Sequence, residues 1–141
     1  MSKLSQIPVR VEQMPTDDDV AIAQSILFEI HDKLQNLLAK GEGGIIDLRS
    51  LPALNQASLQ LLENWLSLGE VSAMVTGVGK TEVRETAYAG VWWLVFHNQK
   101  GDIVTESIQI AEVPDILKSQ LGDIELGFKK LTRAFSALGK E

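Results

Sequence analysis

The stretch ETAYAGVWWLVFHN (residues 85–98) holds four of the eight aromatic residues of the chain within nine positions. Together with the residues before it, this stretch predicts a strand from Thr81 to His97. Beyond Tyr88, both sets of alternating residues are apolar, whereas a strand with one solvated face alternates apolar with polar side chains. We therefore expect a central strand covered on both faces, by helices or by a partner on one face. Gly90 is typical of a bulge, which would reverse the alternation.

The segments on both sides predict further strands. Residues 70–76 (EVSAMVT) and 102–110 (DIVTESIQI) have strand character and are joined to the central strand by the hairpin-like connections GVGK and NQKG. We expect positive φ angles at Gly77 and Gly79. A short strand from Ile45 to Leu48 brings the number to about four. Residues 7–11 (IPVRV) predict a short edge strand or an ordered arm.

Apolar residues at helical spacing predict three helices. The first is capped by Thr16 and runs over about 17–40, the second is capped by Asn55 and stops at Gly69, and the third runs over about 123–138. Lys129, Lys130 and Arg133 fall largely away from the apolar stripe of the third helix. The sequence thus predicts one α+β domain over residues 1–141, with a mostly antiparallel sheet of about four strands and three helices.

Composition limits the function. A net charge of −6 and a pI near 4.9 argue against binding to nucleic acids or anionic membranes. The chain has no cysteine, which excludes thiolate metal sites and thiol catalysis. The longest apolar run, residues 87–96, is about half of what a membrane-spanning helix needs. The first residues lack the pattern of a secretory signal, so we expect a cytoplasmic protein.

A nucleotide-binding loop is suggested by TGVGKT (residues 76–81), because a phosphate loop ends in Gly-Lys-Thr. That loop also needs an earlier glycine, where this chain has Met74, and a following helix, where this chain has the strand-like TEVRET. A hairpin turn is the favoured interpretation.

Candidate catalytic and metal-binding residues give weak signals. His31 and His97 lie on different elements without partners at metal-ligand spacing, and the acids at residues 17–19 are explained by a helix start. One histidine near acids would suit a weak nickel or zinc site, but a helix-face histidine and a strand-end histidine are the favoured interpretation. Glu70, Glu85 and Glu106 lie on three strands that could be adjacent, yet acids on a solvated sheet face are common. We assign no catalytic, cofactor-binding or metal residue and expect no enzyme activity.

Several pieces taken in order resemble the hydrogenase expression/formation proteins of the HupH and HyaF type, which are accessory proteins of nickel-iron hydrogenase maturation. The resemblance covers about residues 45–116, whereas longer members extend well beyond one such domain. The matching pieces are LPALNQASL (51–59), GEVSA (69–73), ETAYAGVW (85–92), HNQKG (97–101) and IQIAEVP (108–114). The family-motif positions within them are Gly69, Glu70, Ser72, Glu85, Thr86, Gly90 and Trp92.

The resemblance implies a cytoplasmic, non-catalytic assembly factor. It would be a chaperone or scaffold for a hydrogenase subunit precursor, the small iron-sulfur-bearing subunit being the expected target, and other maturation proteins would be further partners. No cofactor is implied. We expect Trp92 to be structural, and we expect the partner to bind at Glu70, Glu85, Tyr88 and Trp93, because an exposed tryptophan is a natural anchor.

Two alternatives stay open at this point. One is a small ligand-binding domain or enzyme with a pocket near Tyr88, Trp92 and His97, together with Glu70 or Glu85. The other is a homodimer in which the aromatic strand or its second face covers itself.

Overall fold

Residues 14–139, the part of the chain that the computed structural model describes, form three α-helices and a five-stranded antiparallel sheet. The predicted α+β class is confirmed, with one strand more than the expected four. The segment at residues 7–11 lies outside the described residues. The elements are α1 (Asp17–Lys40), β1 (Gly44–Asp47), α2 (Gln56–Leu66), β2 (Ser72–Thr76), β3 (Lys80–Glu85), β4 (Val91–His97), β5 (Ile103–Ile110) and α3 (Leu121–Leu138), with 3-10 turns at Leu48–Ser50 and Asp115–Leu117.

The extra strand arises because the predicted strand over 81–97 is two strands joined by a tight turn. β3 ends at Glu85 and β4 begins at Val91, and the two pair antiparallel with Glu85 opposite Trp92. Gly90, in the turn, has a φ of 88°, a value that glycine adopts without steric cost. The prediction of a single strand over residues 81–97 was therefore wrong. The apolar residues of the turn imitate strand character in the sequence.

The strand order is β1-β5-β4-β3-β2, so β4 lies at the centre. As expected, it is apolar on both faces. On one face, Val91, Trp93 and Val95 belong to the main core, which also contains residues of the first two helices: Ile26 and Ile30 of α1, and Leu62 and Leu66 of α2. Burying each such side chain contributes roughly 1.5–3 kcal/mol.

The opposite face of the sheet carries a second, smaller core. Trp92 and Leu94 of β4 cluster with Val83 of β3, which is fully buried. Leu117, from the second 3-10 turn, packs against this cluster together with partly buried residues of the neighbouring strands. Both faces of the central strand are therefore withdrawn from solvent.

Linked hydrogen bonds at the starts of α1 and α2 confirm both predicted caps. Thr16 Oγ1 accepts from the Asp19 N–H at 3.1 Å, and Asp19 Oδ2 accepts from the Thr16 N–H at 2.9 Å. Asn55 and Ser58 form the same reciprocal pair at α2. Asn55 Nδ2 also donates to Asp19 Oδ1 at 2.7 Å, which joins the two caps. The bond from the Thr16 N–H, followed by the bond from Asn55, lowers the pKa of Asp19.

Glycines play different parts from those predicted in two places. Gly77 and Gly79 do not have positive φ, so that expectation was wrong; Gly79 is needed because a Cβ there would overlap the carbonyl oxygen of His97. The second helix ends at Leu66, where Ser67 has a positive φ of 57°, rather than at Gly69.

The last helix, α3, begins two residues before the predicted Asp123 and ends at Leu138 as predicted. Every residue of α3 is exposed. Within residues 14–139, no helix combines the length and apolar character needed to cross a lipid bilayer.

Candidate functional site

The family-motif positions meet at one place in the fold. The segment after α2 runs beside the turn that joins β3 to β4, and three backbone hydrogen bonds hold the two together. Gly69 N–H donates to Glu85 O at 2.8 Å, Glu85 N–H donates to Val71 O at 2.9 Å, and Ala87 N–H donates to Leu66 O at 2.9 Å. We call the region formed by residues 66–72 and 85–92 the motif junction.

The side chain of Thr86 stabilises the β3–β4 turn by hydrogen bonds to the turn's own backbone. Its side chain is buried, and Oγ1 donates to Val91 O at 2.9 Å while accepting from the Tyr88 N–H at 3.2 Å. The backbone adds a bond from Thr86 N–H to Val91 O at 3.0 Å. The threonine hydroxyl therefore closes the turn where the paired backbone ends.

Glycine is needed at positions 69 and 90 for different reasons. At Gly69 a side chain would clash, and at Gly90 the backbone has a positive φ. A Cβ at Gly69 would overlap the carbonyl oxygen of Thr86 and touch the Glu85 side chain. Gly90 needs its left-handed backbone, and its carbonyl accepts from the Ala111 N–H at 3.0 Å, which ties the turn to the end of β5. Glycine at both positions is therefore required by the backbone of the junction.

Both tryptophans of β4 are buried and hydrogen-bonded. Trp92 Nε1 donates to Ala111 O at 3.0 Å, in keeping with the structural role expected of it. Trp93 is only 2% exposed, and its Nε1 donates to Glu106 Oε2 at 3.0 Å. The expectation that Trp93 would be accessible to a partner was wrong, because it lies on the sheet face that α1 and α2 cover.

The exposed part of the motif junction combines apolar side chains with an acid. Leu68 is 68% exposed and Tyr88 is 54% exposed, on the two segments that the backbone bonds bring together. Val71 and Glu70 are exposed between them in the chain. We call Leu68, Glu70, Val71 and Tyr88 the junction surface. Glu85, at its inner edge, is half-buried.

An open cleft of about 350 Å³ lies beside the junction surface. Arg84 crosses it: Nη2 is 3.2 Å from Glu63 Oε1, and Cζ lies 5.9 Å from the centre of the Trp93 ring. Arg84 Nε is buried and has no hydrogen-bond partner within the described residues. The cleft is lined by Gln60, Glu63, Asn64, Ser67, Leu68, Arg84, Glu85, Thr86 and Trp93.

The residues of the predicted pocket, Tyr88, Trp92 and His97, are not brought together. Open clefts of about 350, 340 and 300 Å³ among the described residues are lined by other side chains. Trp92 and His97 stand five residues apart on β4, a distance of about 16 Å along a strand. His97 lies at the far end of the strand, where its Nδ1 is 3.2 Å from Lys80 O.

The acids and histidines of the sequence are also dispersed. Glu106 shares a sheet face with Val95, whereas Glu85 is paired with Trp92 on the other face, so the three strand acids do not form one site. His31 is exposed and 3.6 Å from Asp32. Over residues 14–139, no three His, Cys, Asp or Glu side chains are grouped to hold a metal ion.

Comparison with known proteins gives the family. A family model described as "HupH hydrogenase expression protein, C-terminal conserved region" matches residues 20–138. The chain belongs to this family. The match extends over α3 and most of α1, beyond the 45–116 region in which the sequence pieces are found.

Two curated hydrogenase expression/formation proteins are similar to this chain over part of their length. The hydrogenase expression/formation protein HoxQ of Azotobacter vinelandii is 30% identical over 97 residues, which is 69% of this chain and 33% of HoxQ. The protein HupH of Rhodobacter capsulatus is 25% identical over 124 residues, which is 88% of this chain and 44% of that protein. The chain thus spans less than half of the length of these relatives.

A solved structure of the HupH family matches more completely. The hydrogenase expression protein HupH from Thiobacillus denitrificans superposes with a TM-score of 0.77 and 35% sequence identity. The superposition covers 82% of this chain and 95% of that one.

Sequence reasoning missed Glu63, Ser67, Leu68 and Arg84 in this HupH-family chain. Three of them lie in or just after α2, and nothing in their spacing places them beside the β3–β4 turn. Arg84 carried one available signal, since it is a charged residue directly before the motif residues Glu85 and Thr86.

Proposed function

We propose that this chain is a non-catalytic accessory protein of nickel-iron hydrogenase maturation, which acts in the cytoplasm as a chaperone or scaffold for a hydrogenase subunit precursor. The names of its relatives, hydrogenase expression/formation proteins, support the hydrogenase context. The small, iron-sulfur-bearing subunit is the proposed target, and other maturation proteins are further candidate partners. The observation that carries the mechanism is the junction surface, which lies on the segments that the motif residues Gly69, Glu85 and Thr86 hold together.

The composition of the junction surface suits protein contact. Tyr88, Leu68 and Val71 offer apolar area beside the carboxylate of Glu70, and tyrosine is enriched among the interface residues that dominate binding energy. A standard interface buries about 800 Å² on each partner, which is more than four side chains supply. The junction surface would therefore form the centre of a larger interface.

The adjoining cleft supplies a polar contact next to this apolar centre. The Arg84 side chain is 29% exposed and carries further N–H donors besides the one that faces Glu63 Oε1, and a carbonyl or carboxylate of the precursor would accept from them. The chain has no cysteine, so iron-sulfur clusters cannot be held through its thiolates. We therefore infer that help to a cluster-bearing subunit is given by contact and not by carrying the cluster.

The test is retention of the precursor by the tagged chain, compared between Tyr88→Ser and Phe28→Ser. Tyr88 lies on the junction surface, whereas Phe28 is 71% exposed on α1, outside it. Loss of a tyrosine at the centre of an interface costs about 2 kcal/mol, which weakens binding roughly 30-fold. We expect that loss for Tyr88→Ser and near-normal retention for Phe28→Ser.

A second pair tests charge. Glu70→Lys on the junction surface is compared with Glu42→Lys, an exposed acid after α1. Equal retention by all four variants would remove the junction surface from the proposal. Failure of the unaltered chain to retain either subunit precursor, under conditions in which other accessory proteins retain theirs, would refute the chaperone role itself.

A further inference from the structure

Strand β2 lies at one edge of the sheet and, among the described residues, pairs only with β3. Glu85 N–H donates to Val71 O in the same register as the β2–β3 ladder. Because the bonded residues of an antiparallel strand alternate, Ala73 and Val75 also bond to β3. The residues between them direct their backbone N–H and C=O groups away from the sheet.

The open edge of β2 is therefore a row of backbone donors and acceptors, which belong to Ser72, Met74 and Thr76. Alternate residues of a strand are about 7 Å apart, and an extended chain carries its own N–H and C=O groups at the same spacing. Another extended chain can thus bond to all of these groups at once. The chemistry of this edge selects an extended polypeptide segment as its ligand.

The two edges of the sheet differ in their protection against such pairing. Edge strands usually carry charged side chains, proline or bulges that prevent it. β2 (SAMVT) has no charged residue and no proline, and it pairs with β3 in one continuous register. At the opposite edge, Lys33 lies against Gly44 at the start of β1, and β1 ends at Asp47, where a 3-10 turn follows. β2 is the unprotected edge.

The open edge continues into the junction surface, because Glu70 and Val71 directly precede Ser72 in the chain. The five residues of β2 span about 17 Å, and with a sheet thickness of about 10 Å the edge offers roughly 170 Å². This area is far below the roughly 800 Å² that each partner buries in a standard interface. Edge pairing alone is too small to join two folded copies of the chain, whereas an extended segment that continues over the junction surface gains area from both.

The charges near β2 limit the composition of that segment. Glu70 is exposed beside the start of the strand, and Glu82 of β3 is paired with Met74. Like charges on neighbouring strands are destabilising, so these carboxylates disfavour an acidic segment. Met74 is 52% exposed and offers an apolar contact to a neighbouring strand.

We propose that an extended, apolar or basic segment of the hydrogenase subunit precursor pairs with β2 and becomes a sixth strand of the sheet. Its main chain bonds to Ser72, Met74 and Thr76, and the segment continues over the junction surface. The proposal rests on the proposed function and adds how the precursor is held. Main-chain hydrogen bonds supply affinity in this mode of binding, and neighbouring side-chain contacts supply specificity.

Substitutions at Met74 separate the role of the backbone from that of the side chain. Met74→Pro removes the outward N–H and leaves the bonds between β2 and β3 in place, because an edge strand tolerates proline where its N–H faces solvent. Met74→Thr keeps the N–H and removes most of the side chain.

Ile45→Pro is the matched control at the opposite edge. Ala111 N–H donates to Gly90 O, which sets the bonding alternation of the β4–β5 ladder. Gly44 and Ile46 consequently bond to β5, and Ile45 N–H faces outwards, as Met74 N–H does. Ile45 is 61% exposed.

The measurement is retention of the full-length small-subunit precursor by each tagged variant. We expect Met74→Pro to weaken retention about tenfold, because it deletes a main-chain hydrogen bond and places its ring against the added strand. Met74→Thr and Ile45→Pro should retain the precursor nearly as well as the unaltered chain. Circular dichroism checks that each variant is folded. Equal retention by Met74→Pro and Ile45→Pro would refute strand addition.

Amide hydrogen exchange of the unaltered chain is a second measurement, which needs no substitution. When the precursor is bound, exchange should slow at Ser72, Met74 and Thr76. The amides of Ala73 and Val75, which already bond to β3, should change little. Unchanged exchange at the three outward amides in a complex that does form would overturn strand addition and leave the chaperone role standing.

Two further outcomes would also overturn the pairing of β2 with the precursor. Slow exchange of the outward amides in the free chain would show that the edge is already occupied, by a second copy if the protection rises with concentration. A chain that retains no precursor under any of these conditions would refute the proposed function, and the strand pairing with it.

Discussion

Replacement of Thr86 by valine removes the hydroxyl that closes the β3–β4 turn and leaves the shape of the side chain nearly unchanged. The lost oxygen donates to Val91 O at 2.9 Å and accepts from Tyr88 N–H at 3.2 Å. Each such bond contributes about 0.5–1.5 kcal/mol, and the added methyl group returns about 0.8 kcal/mol of burial. We expect a net loss of about 1–2 kcal/mol in the free energy of unfolding.

Urea denaturation measures this loss. With a slope of about 2 kcal/mol/M, the midpoint falls by about 0.5–1 M. Thr81→Val, on strand β3 just before the turn, is the matched control, because Thr81 is also buried and no hydrogen bond joins its hydroxyl to another described residue. Thr86→Ser, which keeps the hydroxyl, should retain most of the stability. If Thr86→Val and Thr81→Val had the same midpoint, the hydroxyl of Thr86 would not fasten the turn.

Two further predictions concern the junction and the helix caps. Gly69→Ala should cost about 1–3 kcal/mol of unfolding free energy, because the new Cβ overlaps Thr86 O. Gly77→Ala, whose Cβ would have no contact closer than 3.9 Å, should change the unfolding free energy by less than about 0.5 kcal/mol. Equal effects of the two substitutions would contradict the steric explanation. The lowered pKa of Asp19 adds stability that is fully present above the unfolded pKa of about 3.9 and is lost as pH falls through the lower folded pKa. Asp19→Asn should therefore flatten the acid limb of the stability profile below pH of about 4, and Asp18→Asn, at an exposed neighbour, should not; parallel profiles for wild type and Asp19→Asn would refute the linkage.

The helices were predictable from the sequence because their signals are local. Thr16 and Asn55 are cap residues followed by apolar residues at helical spacing, and Gly41 ends α1 with a φ of 73°. Interactions within one or two turns decide these boundaries, so the printed residues are enough to locate them.

The division of the aromatic segment into two strands, β3 and β4, was not predictable from such local signals. The turn between β3 and β4 contains Ala87, Tyr88 and Ala89, none of which is a typical turn residue, and it is closed by the side chain of Thr86. Only Gly90 marked the place, and glycine in a strand indicates a bulge as readily as a reversal. The apolar character of these residues favoured one continuous strand, so the sequence did not reveal the turn.

The sequence identified the motif residues of the candidate site but not the residues that surround them. Gly69, Glu85 and Thr86 were named, and they do meet, but the role of Gly69 depends on an oxygen 17 positions away in the chain. Arg84 and Glu63 meet across 21 positions and two elements. Contacts of this kind are set by how α2 lies on the sheet, which composition and periodicity leave open.

The joined caps of α1 and α2 have an electrostatic consequence. The N-terminus of each helix carries the equivalent of about half a positive charge, and the bond from Asn55 to Asp19 holds the two ends close together. Two such ends would repel each other, and the single negative charge of Asp19 is enough to balance both. Asp19 is thus a shared counter-ion of two helix dipoles, and its protonation would weaken the contact between α1 and α2 as well as each cap.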